Sequence, residues 1–313
     1  MYNGTMSMLS VVIPAYNEEQ MILTSAKEIA VPLQEAGIEF ELIFINDGSR
    51  DRTWELISQA AMTYDYVRGA SFSRNFGKES AIFAGLAEAT GDCVAVIDCD
   101  LQHPPEKLVE MYRLWQEGYE VIEGVKSDRG EESVAHGLGA KSFYKIISRA
   151  AGVDMTNASD FKLLDRKAVN ALLSLPEKDT FFRALSSWVG FKTTQVFYEV
   201  RSRAAGETHW SRRALTRYAI SNITSFTALP MQFVTALGVL TFLIGIIAGV
   251  EALVTWIKGE AVEGFTTVII LLCFSASIIM LSLGVIGYYI ARIYEEIKGR
   301  PKYIISERTT DNG

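Results

Sequence analysis

The chain has 313 residues, 49% of them hydrophobic and 21% charged, with a formal net charge of −7. That apolar content excludes extensive disorder, and the negative charge excludes nucleic acid as the main partner. Three cysteines, Cys93, Cys99 and Cys273, lack paired spacing and neighbouring histidines, which argues against a disulfide framework or zinc site and fits a reducing compartment.

Met1 to Met8 is polar and runs straight into a strand-like segment, so no signal peptide is expected. The runs Leu9 to Ile13, Leu42 to Ile45 and Val94 to Ile97 are continuously apolar and end abruptly in polar residues. Such runs predict strands buried on both faces, the pattern of a parallel sheet. Helix-like stretches lie between and beside them, at Glu19 to Gln34, Asp51 to Thr63 and Glu79 to Ala89. The alternation predicts a doubly wound α/β domain, in which ligands bind beyond the carboxyl ends of the strands. Glu18, Asp47, Asp98 and Asp100 all fall there, and four acids at one sheet edge require a cation or hydrogen-bond donors. Further along, Tyr119 to Val125 reads as a strand and Lys126 to Ala140 as a mobile loop. Lys141 to Ala151 and Arg166 to Ser174 read as helices, and Lys192 to Val200 as a last strand.

Two windows, Tyr218 to Val250 and Gly264 to Ala291, contain no charged residue, and each exceeds the roughly 20 residues needed to cross a bilayer. Arg201, Arg203, Arg212, Arg213 and Arg217 precede the first window; Arg292, Lys298, Arg300 and Lys302 follow the second. The connection offers only Lys258 against Glu260 and Glu263. The positive-inside rule then predicts a multi-pass protein of the inner (cytoplasmic) membrane with both termini cytoplasmic. The expected division is a catalytic domain over 1–210, an amphipathic juxtamembrane segment over 211–228, a membrane hairpin over 229–291 with helices at about 231–254 and 265–290, and a cytoplasmic tail over 292–313. Gly245 and Gly249 have the small-xxx-small spacing that lets membrane helices approach closely, which would permit a homo-oligomer. Glu251 is assigned no function.

The triplet Asp98-Cys99-Asp100 can share work on one hard divalent cation, Mg²⁺ or Mn²⁺, that keeps some water and bridges to a diphosphate. An Asp-x-Asp alone is also a common solvated turn; its place after a buried strand, ahead of Leu101 to Glu106, strengthens the site reading. Asp47-Gly48-Ser49 reads alone as a turn opening a helix, and Ser73 to Lys78 reads equally as a basic surface loop. His103 is read as a structural or surface histidine, and Arg212, Arg213 and Arg217 as a membrane-surface anchor.

The segments Val12-Ile13-Pro14-Ala15-Tyr16-Asn17-Glu18, Asn46-Asp47-Gly48-Ser49, Ser73-Arg74-Asn75-Phe76-Gly77-Lys78, Asp98-Cys99-Asp100-Leu101-Gln102, Ser159-Asp160-Phe161 and Gly206-Glu207-Thr208 together resemble glycosyltransferase family 2. Within it they resemble the polyprenyl-phosphate glycosyltransferases, which include bactoprenol glucosyltransferases and are related to dolichol-phosphate mannose synthases. The resemblance implies a GT-A nucleotide-sugar-binding domain with a mainly parallel sheet, followed by a two-helix transmembrane hairpin. It implies donor contacts from Pro14, Tyr16, Glu18, Asp47, Lys78 and Asp98, a metal on Asp100, and an acceptor-side acid at Asp160, so that Asp98, Asp100 and Asp160 form the catalytic set. Arg203, with Arg201, would meet the acceptor phosphate; His209 stands where the family often has lysine. The implied activity is inverting transfer from a nucleotide sugar, UDP-glucose or a related UDP-sugar, to a polyprenyl phosphate such as undecaprenyl phosphate. It would take place among the lipids of the cytoplasmic membrane face and make a lipid-linked donor for cell-envelope glycosylation. A processive polysaccharide synthase would be expected to carry more membrane helices and a Gln-x-x-Arg-Trp motif, which this sequence lacks, and a non-catalytic membrane adaptor would have little reason to keep Asp98, Asp100 and Asp160.

Overall fold

The computed structural model describes residues 7–127, 159–177, 181–199, 229–259 and 264–309. Packing divides them into two units, one containing 7–199 and 301–309 and the other 229–300.

The first unit is an α/β domain. Its order is β1 (Met8–Ala15), α1 (Ile22–Glu35), β2 (Glu39–Asn46), α2 (Thr53–Thr63), β3 (Val67–Phe72), α3 (Lys78–Glu88), β4 (Cys93–Val96), α4 (Glu106–Gln116), β5 (Val121–Lys126), β6 (Lys162–Asp165), α5 (Arg166–Ser174), α6 (Phe182–Trp188) and β7 (Thr193–Tyr198). The strand β8 (Ile305–Arg308) comes after the second unit and completes the sheet. The described strands form one sheet in the order β7-β5-β6-β4-β1-β2-β3-β8. β4, β1, β2 and β3 are mutually parallel, β5 and β7 run the same way, and β6 and β8 run against them.

The continuous apolar runs explain the centre of this sheet. Leu9, Val11, Val12 and Ile13 of β1, Leu42 and Phe44 of β2 and Val94 to Val96 of β4 are all fully buried, because helices cover both faces. On one face Gly85 of α3 lies against Val12, where an added Cβ would collide with the valine side chain. The core is thus packed closely enough for helix α3 to sit directly on β1.

β3 and β6 contain charges that a buried strand does not usually tolerate, and each charge has a partner. Arg68 in β3 donates to Glu41 at 2.6 Å. Lys162 in β6 is fully buried and pairs with Glu123 of β5 at 2.5 Å. Residues 128–158 hold most of the expected Lys126 to Ala140 loop and the whole Lys141 to Ala151 helix, which lie outside the described residues.

The second unit contains α7 (Leu229–Ile257) and α8 (Phe265–Ile297), which pack against each other as a hairpin. The windows Met231–Thr255 and Phe274–Ala291 have mean hydropathies of 2.5 and 1.8, so both helices are long and apolar enough to cross a membrane. Their exposed side chains include Phe233, Phe242, Ile247, Leu272, Phe274 and Met280, far more apolar surface than a water-exposed helix pair carries.

Candidate active site

The carboxyl ends of β1 and β2 are tied together before any ligand is considered. After β1 the chain turns through Asn17 with a left-handed φ of 55°. Asparagine tolerates this because its short side chain bonds locally: its Oδ1 accepts from the Arg50 N–H at 2.9 Å, while its own N–H donates to Ser49 Oγ at 2.9 Å. Next to it the Glu18 N–H donates to Thr53 Oγ1 at 2.9 Å. Pro14 is half-buried in the last turn of β1, and Tyr16 is 42% exposed on the adjoining loop.

Asp47, the first residue after β2, is 3% exposed. Its carboxylate accepts from the Phe76 N–H at 2.7 Å, the Gly77 N–H at 2.9 Å and Asn75 Nδ2 at 3.0 Å. Burial pushes this carboxyl above its usual range, and the two backbone donors pull it back. Gly48 has φ 62°, and a Cβ there would sit 2.6 Å from the Asn75 nitrogen, so only glycine lets the two loops touch. The Asn46 to Ser49 and Ser73 to Lys78 segments are therefore one structural unit. Its effect is to fix Lys78 at the start of α3.

Lys78 joins the site's two central acids. Val96 of β4 pairs with Lys162 of antiparallel β6, so Asp98, two residues past Val96, and Asp160, two before Lys162, meet at the same edge. Lys78 Nζ lies 2.6 Å from Asp98 Oδ1 and 2.9 Å from Asp160 Oδ2. Arg183 from α6 grips Asp160 in a fork, Nε to Oδ1 at 2.7 Å and Nη2 to Oδ2 at 2.8 Å. Burial disfavours charge on Asp160, but Lys78 and Arg183 outweigh it and hold the carboxyl far below the usual range. Asp98 is also lowered, by Lys78 against the cost of burial. Lys78 is raised, because the two carboxylates outweigh its own desolvation. The result is a lattice of two acids and two cations in which opposite charges hold Asp98, Asp160 and Lys78 ionised.

Asp100 follows Asp98 on the same strand end, and its Oδ1 accepts from the Gln102 N–H at 3.1 Å. Leu101, between Asp100 and Gln102, has φ 57°, a conformation costly for leucine and of the kind that accumulates at functional sites. Among the described residues no group of three or more His, Cys, Asp or Glu forms a ready cation cage. Two neighbouring carboxylates suit a metal that takes its remaining ligands from water and a diphosphate. His103 is buried, stacked on Phe161 with centroids 4.9 Å apart and edge-on to Tyr198 at 5.4 Å. Burial, with Lys78, lowers its pKa against the opposing pull of Asp98, Asp100 and Asp160.

Two side chains support the lattice from behind. Lys162 donates to Ser186 Oγ of α6 at 2.8 Å as well as to Glu123, and burial lowers its pKa despite that acid. Glu79 accepts from the Phe182 N–H at 2.8 Å at the entry to α6. Burial, with Asp160 nearby, raises Glu79 to about 7. Both contacts fix the helix that carries Arg183.

Of the residues singled out in the sequence, Lys78, Asp98 and Asp160 are in direct contact, Asp100 adjoins them, and Pro14, Tyr16, Glu18 and Asp47 line the ends of neighbouring strands. Arg201 and Arg203 lie outside the described residues. Sequence reasoning missed Arg183 and Glu79. Glu79 directly follows a motif segment and was within reach, but nothing in the spacing of Arg183, 23 residues after Asp160, announces the contact.

The family model described as Glycosyl transferase family 2 matches residues 10–173, which contain Asp47, Lys78, Asp98, Asp100 and Asp160. Among curated proteins, the prophage bactoprenol glucosyl transferase homolog of Escherichia coli is 37% identical over 95% of this chain and 98% of its own length. The bactoprenol glucosyl transferase of Shigella phage SfII is 35% identical over 97% and 99%. The putative glycosyltransferase CsbB of Bacillus subtilis is 38% identical over 97% and 93%. The chain belongs to glycosyltransferase family 2, and it is a glycosyltransferase with a GT-A-like, mostly parallel α/β domain and a C-terminal apolar hairpin.

Proposed function

We propose that this glycosyltransferase moves a hexose, with inversion, from a UDP-sugar, UDP-glucose foremost, to a polyprenyl phosphate at the cytoplasmic membrane face. The observation that carries the reading is the charge lattice of Lys78, Asp98, Asp160 and Arg183 at the strand ends of a chain whose full-length relatives include a bactoprenol glucosyl transferase and a homolog of one.

The chemistry is a single displacement: an acceptor phosphate oxygen attacks the anomeric carbon, the bond to the nucleoside diphosphate breaks, and an α-linked donor gives a β-linked lipid phosphate. The phosphate monoester needs little help from a base, since its second pKa is about 6. Asp160 suits that chemistry as an anchor. A carboxylate held low by Lys78 and Arg183 is a poor proton acceptor but a good fixture for two cations beside phosphate oxygens. A divalent cation, Mg²⁺ or Mn²⁺, would be held by Asp100 with Asp98 beside it, and when bound it supplies charge neutralisation on the departing diphosphate. Tyr16 and Glu18 flank the nucleotide, and Arg203 with Arg201, just ahead of the hairpin in the chain, would receive the acceptor phosphate.

The catalytic unit is built from chain both before and after the hairpin, which favours an even number of crossings and both ends on one side. The basic flanks make that side cytoplasmic. Incubating the purified chain with a panel of labelled nucleotide sugars and undecaprenyl phosphate, then extracting into organic solvent, tests the reading. Label from UDP-glucose in the organic phase supports it; label in water-soluble products alone would overturn it.

A further inference from the structure

The segment that returns from the hairpin contacts the loop that carries Lys78. Tyr303 follows the last residue of α8, Ile297, by six positions and stacks on Phe72 at the end of β3, with centroids 5.1 Å apart and planes 15° apart. Phe72 meets Phe76 edge-on at 5.7 Å, and the Phe76 N–H is one of the donors that hold Asp47. The backbone on either side of Tyr303 adds two bonds: the Ser73 N–H donates to the Ile304 carbonyl at 3.0 Å, and Ser80 Oγ to the Lys302 carbonyl at 3.3 Å. These bonds bracket the 74–79 segment from both sides. Lys302 Nζ also lies 4.9 Å from the centre of the Phe83 ring, which is edge-on to Phe182, the neighbour of Arg183. One short segment thus buttresses both cations of the charge lattice.

We propose that Tyr303 is a positioning residue for the donor half of the site, holding the Ser73 to Lys78 loop so that Lys78 stays between Asp98 and Asp160. The inference deepens the proposed function and rests on it for the identity of the donor. The ring stack and the Phe76 edge contact are each typical of aromatic pairs that contribute beyond their buried area. The ladder of β8, which continues through Ser71 and Ala70, anchors the segment independently, so loss of the ring should loosen the loop without releasing the strand.

The test compares Tyr303→Ala, Tyr303→Leu and Tyr303→Phe in the full chain. Amide hydrogen exchange is read at Phe76 and Gly77, and KM is measured separately for donor and acceptor. Tyr303→Ala should speed exchange at both amides and raise the donor KM roughly ten-fold while the acceptor KM stays within about two-fold. Tyr303→Leu, which keeps bulk without a ring, should behave similarly and provides the reading if the alanine variant does not fold. Tyr303→Phe should restore the parent values. Unchanged exchange at the two amides, or equal rises in both KM values, would overturn the proposal. Exchange needs no substrate, so it decides the positioning role even if the parent chain proves not to glycosylate a polyprenyl phosphate.

Discussion

The Arg183 to Asp160 fork is the contact that most sharply tests the charge lattice. Asp160 is 6% exposed at its side chain and Arg183 is 29% exposed, so Arg183→Ala leaves a nearly buried carboxylate with Lys78, at 2.9 Å, as its one remaining cation among the described residues. Removing one partner of a buried pair costs about 3–5 kcal/mol. The partial exposure of Arg183 and the surviving lysine reduce this to about 2 kcal/mol, which for a domain of this size lowers the melting temperature by ~4–8 °C. Asp160→Asn should cost a similar amount, because Arg183 loses its carboxylate fork and Lys78 one of its two carboxylates. The double variant should be less unstable than the sum of the singles by at least ~1 kcal/mol. The sign with pH follows from the depressed Asp160 pKa: the stability it contributes is present above the unfolded value of 3.8 and is lost as pH falls towards the folded value. In Arg183→Ala the onset stays at the unfolded value, while the loss should be smaller and be complete at a higher pH. Melting curves of the four proteins across pH provide the assay, and strictly additive single effects would refute the coupling.

Three further outcomes follow from the same geometry. Glu79 is raised from 4.5 to about 7, so its ionisation opposes folding and stability should fall as pH rises between those values, by at most ~3 kcal/mol before solvent screening. Glu79→Gln should flatten that slope, and an unchanged slope would mean another group titrates there. Gly48→Ala places a Cβ 2.6 Å from the Asn75 nitrogen at a φ of 62°, so it should cost about 2–3 kcal/mol and raise the donor KM more than the acceptor KM; a variant with parent stability would contradict the close approach. For topology, Lys258→Cys reports on the short connection between the two apolar helices. It should react with an impermeant thiol reagent in intact cells while Ser306→Cys should not, and the reverse pattern would invert the orientation.

Much of the fold was legible because burial on both faces leaves a plain mark. β1, β2 and β4 coincide with continuous apolar runs, and β5 and β7 differ from their expected spans by only a few residues. β3 and β6 were not legible. Arg68, Gly69 and Ser71 break the apolar pattern of one, and Lys162 and Asp165 that of the other, and only distant partners such as Glu41 and Glu123 make those charges tolerable inside a sheet. β8 was hidden for a different reason. Its sequence, Ile-Ser-Glu-Arg, reads as a polar tail, and its strand character comes from antiparallel pairing with β3 across the whole hairpin, secured by Arg308 to Glu88 at 3.0 Å and Trp54 to Glu307 at 2.8 Å. In the site, acids at strand ends were visible because topology fixes where strands end. Arg183 was invisible because it comes from a short helix whose placement depends on Lys162, Ser186 and Glu79.

The central claim is that this lattice serves sugar transfer to a lipid phosphate with a divalent cation on the paired acids. The most direct measurement is formation of glucosyl polyprenyl phosphate from UDP-glucose and undecaprenyl phosphate by the purified chain, followed with Mg²⁺ or Mn²⁺, with excess chelator, and with Asp100→Asn. The account predicts a β-linked lipid product with the parent chain and metal, and a loss of at least ~100-fold on chelation or in Asp100→Asn at unchanged melting temperature. Full activity in excess chelator would contradict the role given to the Asp98 and Asp100 pair, and absence of any lipid-linked product from every nucleotide sugar would contradict the account as a whole.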